Sequence, residues 1–257
     1  MYYKSNIDMI TFVCCYNNQK ELNEMLLSSY KKIIKDDFDC NLLLIDTKSK
    51  GYKSAAEAYN AEIKNNYNDL GDILIFLHQD IAFDNREFIN SICAVLEKNP
   101  NTIIGFAGMA KDKRVYSNLQ YFKNKNFIVR NQIDGIKEVE SVDECCFAMT
   151  KELWSRVRFD EKVCYHWHLY AVDFCLSAKS LCNSKVVVLP DVIYHKQDGG
   201  DVGMFTDKYF LKTMWRLMRK NVKNYSAILA PCYIVETNVF RGGLKLLRTY
   251  IKNCFVK

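Results

Sequence analysis

No long hydrophobic run occurs in the 257-residue sequence. The longest apolar stretch near the carboxyl end, AILAPCYIV from Ala227 to Val235, is about half of the roughly 20 residues a spanning helix requires, so no transmembrane helix is expected. The opening MYYKSNIDMITFVCCYNN has no extended apolar stretch ahead of its first polar cluster, which argues against a signal peptide and for a cytoplasmic setting. Paired C-x2-C spacing is also missing, and Cys164, His166, His168, Cys175 and Cys182 lack the arrangement of a structural zinc site. Inside a reducing compartment the cysteines are expected to stay thiols, and neighbours such as Cys14 and Cys15 or Cys145 and Cys146 cannot readily bridge without strain. Most of them read as core fillers. Nor is charge of one sign in large excess. Lys and Arg number 36 against 30 Asp and Glu, a net +6 that suits an anionic ligand or a membrane surface without demanding either. No segment before residue 208 forms the basic stripe interleaved with aromatics that a nucleic-acid binder needs, so nucleic acid is not an expected partner. Internal repeats and low-complexity segments are absent.

What the chain does have is apolar content, 49%, enough to fill a substantial core. Residues 7–15, IDMITFVCC, are apolar and β-branched and run into Tyr16-Asn17-Asn18, which predicts a strand ending there. Residues 19–35 carry Leu22, Met25, Leu26, Tyr30 and Ile33 at helical spacing. NLLLID at 41–46 is an apolar run stopped by Asp46, the pattern of a buried parallel strand with an acid at its carboxyl end, where open α/β sheets bind ligands. A helix over 54–66 follows, with Ser54 as its cap. DILIFL at 72–77 predicts a third strand, ending in His78-Gln79-Asp80. A helix at 88–96 and a strand at 102–106 complete the alternation of a doubly wound, mostly parallel α/β sheet flanked by helices.

Order weakens over 115–139, which reads as an irregular or hairpin excursion suited to acceptor loops. Strand 142–149, a short helix at 151–156, a helix at 169–180 and a strand at 185–189 closed by Pro190 are expected next. The tail from Asp207 is helical, aromatic and basic. The expected organisation is therefore a main domain over 1–206, its nucleotide-binding half at 1–110 and its acceptor half at 111–206, followed by a helical extension at 207–257. Met214, Trp215, Met218 and the cations near them read either as a face for an acidic membrane or as a solvated basic face over a packed helix.

FLHQD at 76–80 resembles the glycosyltransferase family 2-like proteins in which these residues replace the aspartate-any-aspartate signature of GT-A enzymes. AYN at 58–60, VDECCFAMTKELW at 142–154, HLYAVDFCLSA at 168–178 and YHKQDGG at 194–200 match in the same order, so the resemblance spans residues 7 to 200. It implies a GT-A fold, a nucleotide-sugar donor, a glycan or lipid-linked acceptor, an inverting transfer and a setting in surface-polysaccharide synthesis, compatible with a peripheral position on the inner face of a membrane. It also implies a divalent cation, Mn2+ or Mg2+, because the leaving diphosphate gains charge that a hard cation can neutralise.

By that resemblance Asp80 holds the metal and His195 completes the site; His78 stands where the signature has its first acid, and imidazole suits manganese better than magnesium. Tyr16, Asn17 and Asp46 match the base and ribose contacts, Lys53 and Asn60 near the next helix start can address the ribose or diphosphate, and His78 and Gln79 are further candidates for binding the donor. The Gly199-Gly200 turn can bring amides to phosphates. For the general base, Asp173 is the first choice and Asp143-Glu144 the other, because the family's Glu-Asp pair is missing from Tyr170-Ala171-Val172-Asp173. Trp167 and His168 either line the acceptor cleft or, for Trp167, fill the core. Two rivals stay open. A nucleotidylyltransferase needs a glycine-rich basic loop after strand one, which CCYNNQKE does not supply, and a non-catalytic nucleotide-sugar binding protein fits the changed acids.

Overall fold

A computed structural model describes residues 9–34, 40–196 and 207–255. Ile7, Asp8, Lys35 and the Gly199-Gly200 turn, all read from the sequence, lie outside the described residues. Seven strands form the central sheet in the order Cys40–Asp46, Ile10–Tyr16, Ile73–Leu77, Cys146–Thr150, Thr102–Gly105, Lys185–Val188, Lys137–Glu138. Five run the same way; Cys146–Thr150 is antiparallel to both its neighbours and Lys137–Glu138 is antiparallel to Lys185–Val188. The mostly parallel α/β architecture expected from the apolar runs is therefore the one found.

The pleat divides the core. Along Ile73–Leu77, Leu74 and Phe76 enter one apolar layer and Ile73, Ile75 and Leu77 the other, because successive side chains point to opposite faces. One layer takes helix Ala55–Asn65, whose cap Ser54 accepts from the Glu57 amide at 3.1 Å, and helix Tyr170–Cys182. The other takes the helical segment 19–33, which widens to a π turn over Asn23–Leu27, and helix Glu87–Lys98. No disulfide joins the cysteines, and Cys14, Cys146, Cys164 and Cys175 fill core positions.

Two local differences from the sequence reading matter. The strand expected over 142–149 is broken: Ser141–Val142 pairs with Ala107–Met109, the chain turns at Asp143, whose carboxylate accepts from the Cys145 amide at 3.0 Å, and only Cys146–Thr150 joins the main sheet. In the tail, a hairpin of Ala227–Ala230 and Tyr233–Glu236 separates helix Lys208–Asn221 from helix Val239–Phe255. Met214 and Met218 are buried with Phe210 and Leu217 and so face the core, while Trp215 is only partly buried; that helix packs into the same apolar layer as helix Tyr170–Cys182. No helix among the described residues is long and apolar enough to cross a membrane.

Candidate functional site

The carboxyl ends of the parallel strands form one edge of the sheet, and the antiparallel strand Cys146–Thr150 presents its amino end there. Cys146 is opposite Leu77, and the His78 amide donates to the Cys145 carbonyl at 3.0 Å. Asp143 and Glu144 are thereby carried to the edge that holds His78 and Asp80, although the sequence separates them widely. A second, small sheet brings the last member. Tyr194–His195 pairs antiparallel with Ile81–Ala82 and parallel with Gln120–Tyr121, and the Lys196 amide donates to the Asp80 carbonyl at 3.0 Å.

His78, Asp80 and His195 consequently face one another. Their ligand atoms all lie within 4.8 Å, and His195 Nε2 is 3.3 Å from Asp80 Oδ2. Two ligands about 2.1 Å from one ion at right angles stand about 3 Å apart, so this spacing suits a shared cation. Burial lowers the His78 pKa, with Asp80 pulling it back up and His195 adding to the fall, which favours the neutral imidazole that a metal requires. The Tyr170 hydroxyl is 3.3 Å from His78 Nε2 and helps to orient the ring.

Glu144 is the most perturbed carboxyl of this edge. Burial, then the neighbouring Asp143, pushes it up to about 8, with its own amide and that of Leu169 pulling the other way. Its Oε1 is buried without a hydrogen-bond partner among the described residues. Leu169 starts helix Tyr170–Cys182 from a left-handed conformation, φ 65°, a costly backbone for leucine that turns the preceding segment 165–168. In that segment His166 stacks on Tyr209 at 4.3 Å and His168 Nε2 meets Asp207 Oδ2 at 3.5 Å. Trp167 is partly buried against the core.

Tyr16 and Asp46 end adjacent strands in register with each other, and Thr47 Oγ1 donates to the Tyr16 carbonyl at 2.9 Å. One Asp46 oxygen accepts from the amides of Lys48 and Ser49, capping the helical turn Thr47–Lys50; these bonds, that of Ser49 first, hold its pKa below the usual range. Lys53 is exposed, and its amide donates to Glu57.

Three positions read from the sequence have other partners here. Asp173 is 1% exposed, with Lys220 Nζ at 2.8 and 2.9 Å from its two oxygens, and Lys220 also reaches Asp160 at 3.0 Å. Its pKa is raised to about 6 by burial against the opposing pull of Lys220. A carboxylate clamped in this way ties helix Lys208–Asn221 to helix Tyr170–Cys182 and is not presented to an acceptor, which removes the first choice for the base. Asn60 donates to the Phe159 carbonyl and to Glu161 while its own oxygen accepts from the Phe159 amide, so its amide holds the 159–161 turn instead of a diphosphate. Gln79 Oε1 accepts from the amides of Asn17 and Asn18, and its Nε2 donates to Asn17 Oδ1 and Glu21. That amide clasps the loop after the first strand and leaves little for a ligand. Neither Lys220 nor the Gln79 clasp has a local sequence signal, since each partner is distant in the chain.

A model of the glycosyltransferase-like family matches residues 11–197. The chain belongs to that family. Comparison with curated protein sequences gives no significant match. Among solved structures, the chain is similar to GalNAc-T7, described with UDP, GalNAc and Mn2+, at 10% identity and TM-score 0.56, covering 86% of this chain and 52% of that one. The chain thus spans about half the length of that protein. It is also similar to the mannosyltransferase PcManGT from Pyrobaculum calidifontis, described with GDP-Man and Mn2+, at 10% identity and TM-score 0.57, covering 97% of this chain and 74% of that one. At such low identity these likenesses carry the fold, a GT-A type sheet, and not the chemistry.

Proposed function

We propose that this protein is a metal-dependent, inverting glycosyltransferase that moves a sugar from a nucleotide-sugar donor to a glycan or lipid-linked acceptor, in surface-polysaccharide synthesis. The observation that carries the reading is the convergence of His78, Asp80 and His195 at the carboxyl edge of the sheet, within 4.8 Å of one another. Two imidazoles and one carboxylate are a donor set better suited to Mn2+ than to Mg2+. A cation held by these residues would supply charge neutralisation to the diphosphate as it leaves. Family membership and the two Mn2+-bound fold relatives support this assignment.

In this reading Tyr16, Asn17 and Asp46 meet the nucleoside at the ends of the first two strands, and Lys53 approaches the phosphates. Gln79 keeps the Asn17 loop in shape, and Tyr170 keeps the His78 ring in place. Glu144 is the base. The carboxylate of Glu144, a partly exposed residue at this edge, accepts the acceptor hydroxyl proton as the new oxygen–C1 bond forms and the bond from C1 to the diphosphate breaks, the electron pair leaving with the nucleoside diphosphate. Asp143, braced by the Cys145 amide, adds to the burial that raises the Glu144 pKa.

A thermal-shift screen of UDP-, GDP-, CMP- and dTDP-sugars, with and without Mn2+, tests the donor site. One sugar nucleotide is expected to raise Tm only with metal, and Asp80→Ala is expected to abolish the rise. A rise that persists in Asp80→Ala would move the metal elsewhere.

A further inference from the structure

The last helix carries a surface that the chemistry at Asp80 does not use. Between Glu236 and the end of the chain there is no Asp or Glu, whereas Arg241, Lys245, Arg248, Lys252 and Lys257 are all cationic. Helix Val239–Phe255 is 17 residues long and lies close against helix Lys208–Asn221 because two glycines stand at the contact. A Cβ on Gly242 would stand 2.1 Å from the Glu236 carbonyl oxygen and 2.5 Å from Met218 Sδ, and one on Gly243 would meet the Trp215 ring at 2.9 Å. Leu246, on the same inner side, is buried.

The outer face is apolar. Phe240, Leu244, Leu247 and Ile251 follow i, i+4, i+7, i+11 spacing and form one continuous stripe, 81%, 39%, 52% and 45% exposed. Arg241, Lys245, Arg248 and Lys252 repeat the spacing one residue later, so a row of cations runs along one flank. Arg248 and Lys252 form no ion pair with a described residue. Four large apolar side chains in a row are costly in water, and aligned cations beside them select what can cover them.

We propose that this helix docks the protein on an anionic lipid bilayer, lying in the interface with the Phe240–Ile251 stripe in the acyl boundary and the Arg and Lys row among the headgroups. Arg241 meets Glu236, outside the helix, at 3.7 Å and Lys245 Nζ donates to the Ile234 carbonyl, so Arg248 and Lys252 are the cations left for headgroups; with the exposed apolar stripe and no acid within the helix they make the pattern of an interfacial helix. A second copy is a poorer occupant: a pair of these helices would bring two cationic rows together with no acid on either to offset them. Spanning is ruled out for this helix by its length and polarity.

Cosedimentation of the full chain with vesicles of phosphatidylcholine alone, or mixed with phosphatidylglycerol, tests the docking. Binding is expected only to the mixed vesicles and is expected to weaken with salt. Arg248→Gln with Lys252→Gln is expected to lower partitioning about 30-fold, since each cation near such a surface contributes about a fivefold factor. Phe240→Ser with Leu247→Ser is expected to lower it about tenfold or more. Both pairs are exposed, so unchanged melting curves will show that the fold survives. Equal binding to neutral vesicles, binding to neither, or a dimer in sedimentation velocity that the Phe240 and Leu247 changes dissolve would each overturn the proposal. Docking is separate from the chemistry at Asp80, so sugar-nucleotide binding measured without lipid stays unchanged in these variants.

Discussion

His195 Nε2 lies 3.3 Å from Asp80 Oδ2, held there by the antiparallel pairing of His195 with Ile81. The pairing is backbone geometry, so the two side chains are aligned before any ion arrives and little ordering is left to binding. Asp80→Asn keeps the shape and removes the charge. It is expected to weaken Mn2+ binding about 100-fold or more by calorimetry, with His195→Gln producing a loss of similar direction. Unchanged Mn2+ affinity in both variants would show that the cluster is not the metal site.

Glu144 gives the reaction a pH signature. A base must be ionised, so kcat/KM is expected to rise with pH and level off above about 8. Glu144→Gln is expected to reduce kcat/KM about 100- to 10,000-fold on the plateau above pH 8, and progressively less at lower pH where the parent's base is protonated. Stability moves the other way. The folded-state pKa of about 8 exceeds the ordinary 4.5, so between them the unfolded chain binds fewer protons and stability falls as pH rises through this window. Melting curves of Glu144→Gln from acid to mildly alkaline pH should show a smaller fall than the parent protein.

Asp173 and Lys220 provide the contrast. Lys220→Met leaves a carboxylate buried without its cation and is expected to cost about 3 to 5 kcal/mol in urea unfolding. Asp173→Asn is expected to retain most of its kcat in the protein that remains folded. Loss of kcat in Asp173→Asn comparable with that of Glu144→Gln, at full stability, would restore Asp173 as the base.

Gly242 is the tightest contact of the last helix. Gly242→Ala places a methyl 2.1 Å from the Glu236 carbonyl oxygen, so the helix must shift, at an expected cost of about 1 to 3 kcal/mol in the same unfolding experiment. A neutral outcome would mean that the helix is loosely seated.

The strands were legible in the sequence because each is a short apolar run stopped by polar residues, and Asp46 and the 78–80 triplet fall at the edge where those runs end. The bend at Asp143 was not, since VDECCFAMT reads as one strand until Ala107–Met109 takes Ser141–Val142 away from the main sheet. Asp173 looked reactive because it stands in the first turn of a helix near the matching motif; its partner Lys220 belongs to a helix whose basic residues read either as a membrane face or as a solvated one. Gln79 and Asn60 were misjudged for the same reason. A polar side chain near a ligand-binding edge serves a loop as readily as a ligand, and only the fold shows which loop is within reach. His78, Asp80 and His195 could be named from the family resemblance, but their mutual distance comes from a three-stranded sheet of two-residue strands too short to leave a sequence pattern.

The most direct test is release of nucleoside diphosphate from the sugar nucleotide that binds with Mn2+, followed for the parent protein, Asp80→Asn and Glu144→Gln. Slow transfer to water reports the same bond cleavage when the acceptor is unknown. Release that needs Mn2+, stops with a chelator and falls in both variants is the predicted result. Metal-dependent binding with no release from any donor by the folded parent protein would contradict transferase activity and leave a nucleotide-sugar binding protein in its place.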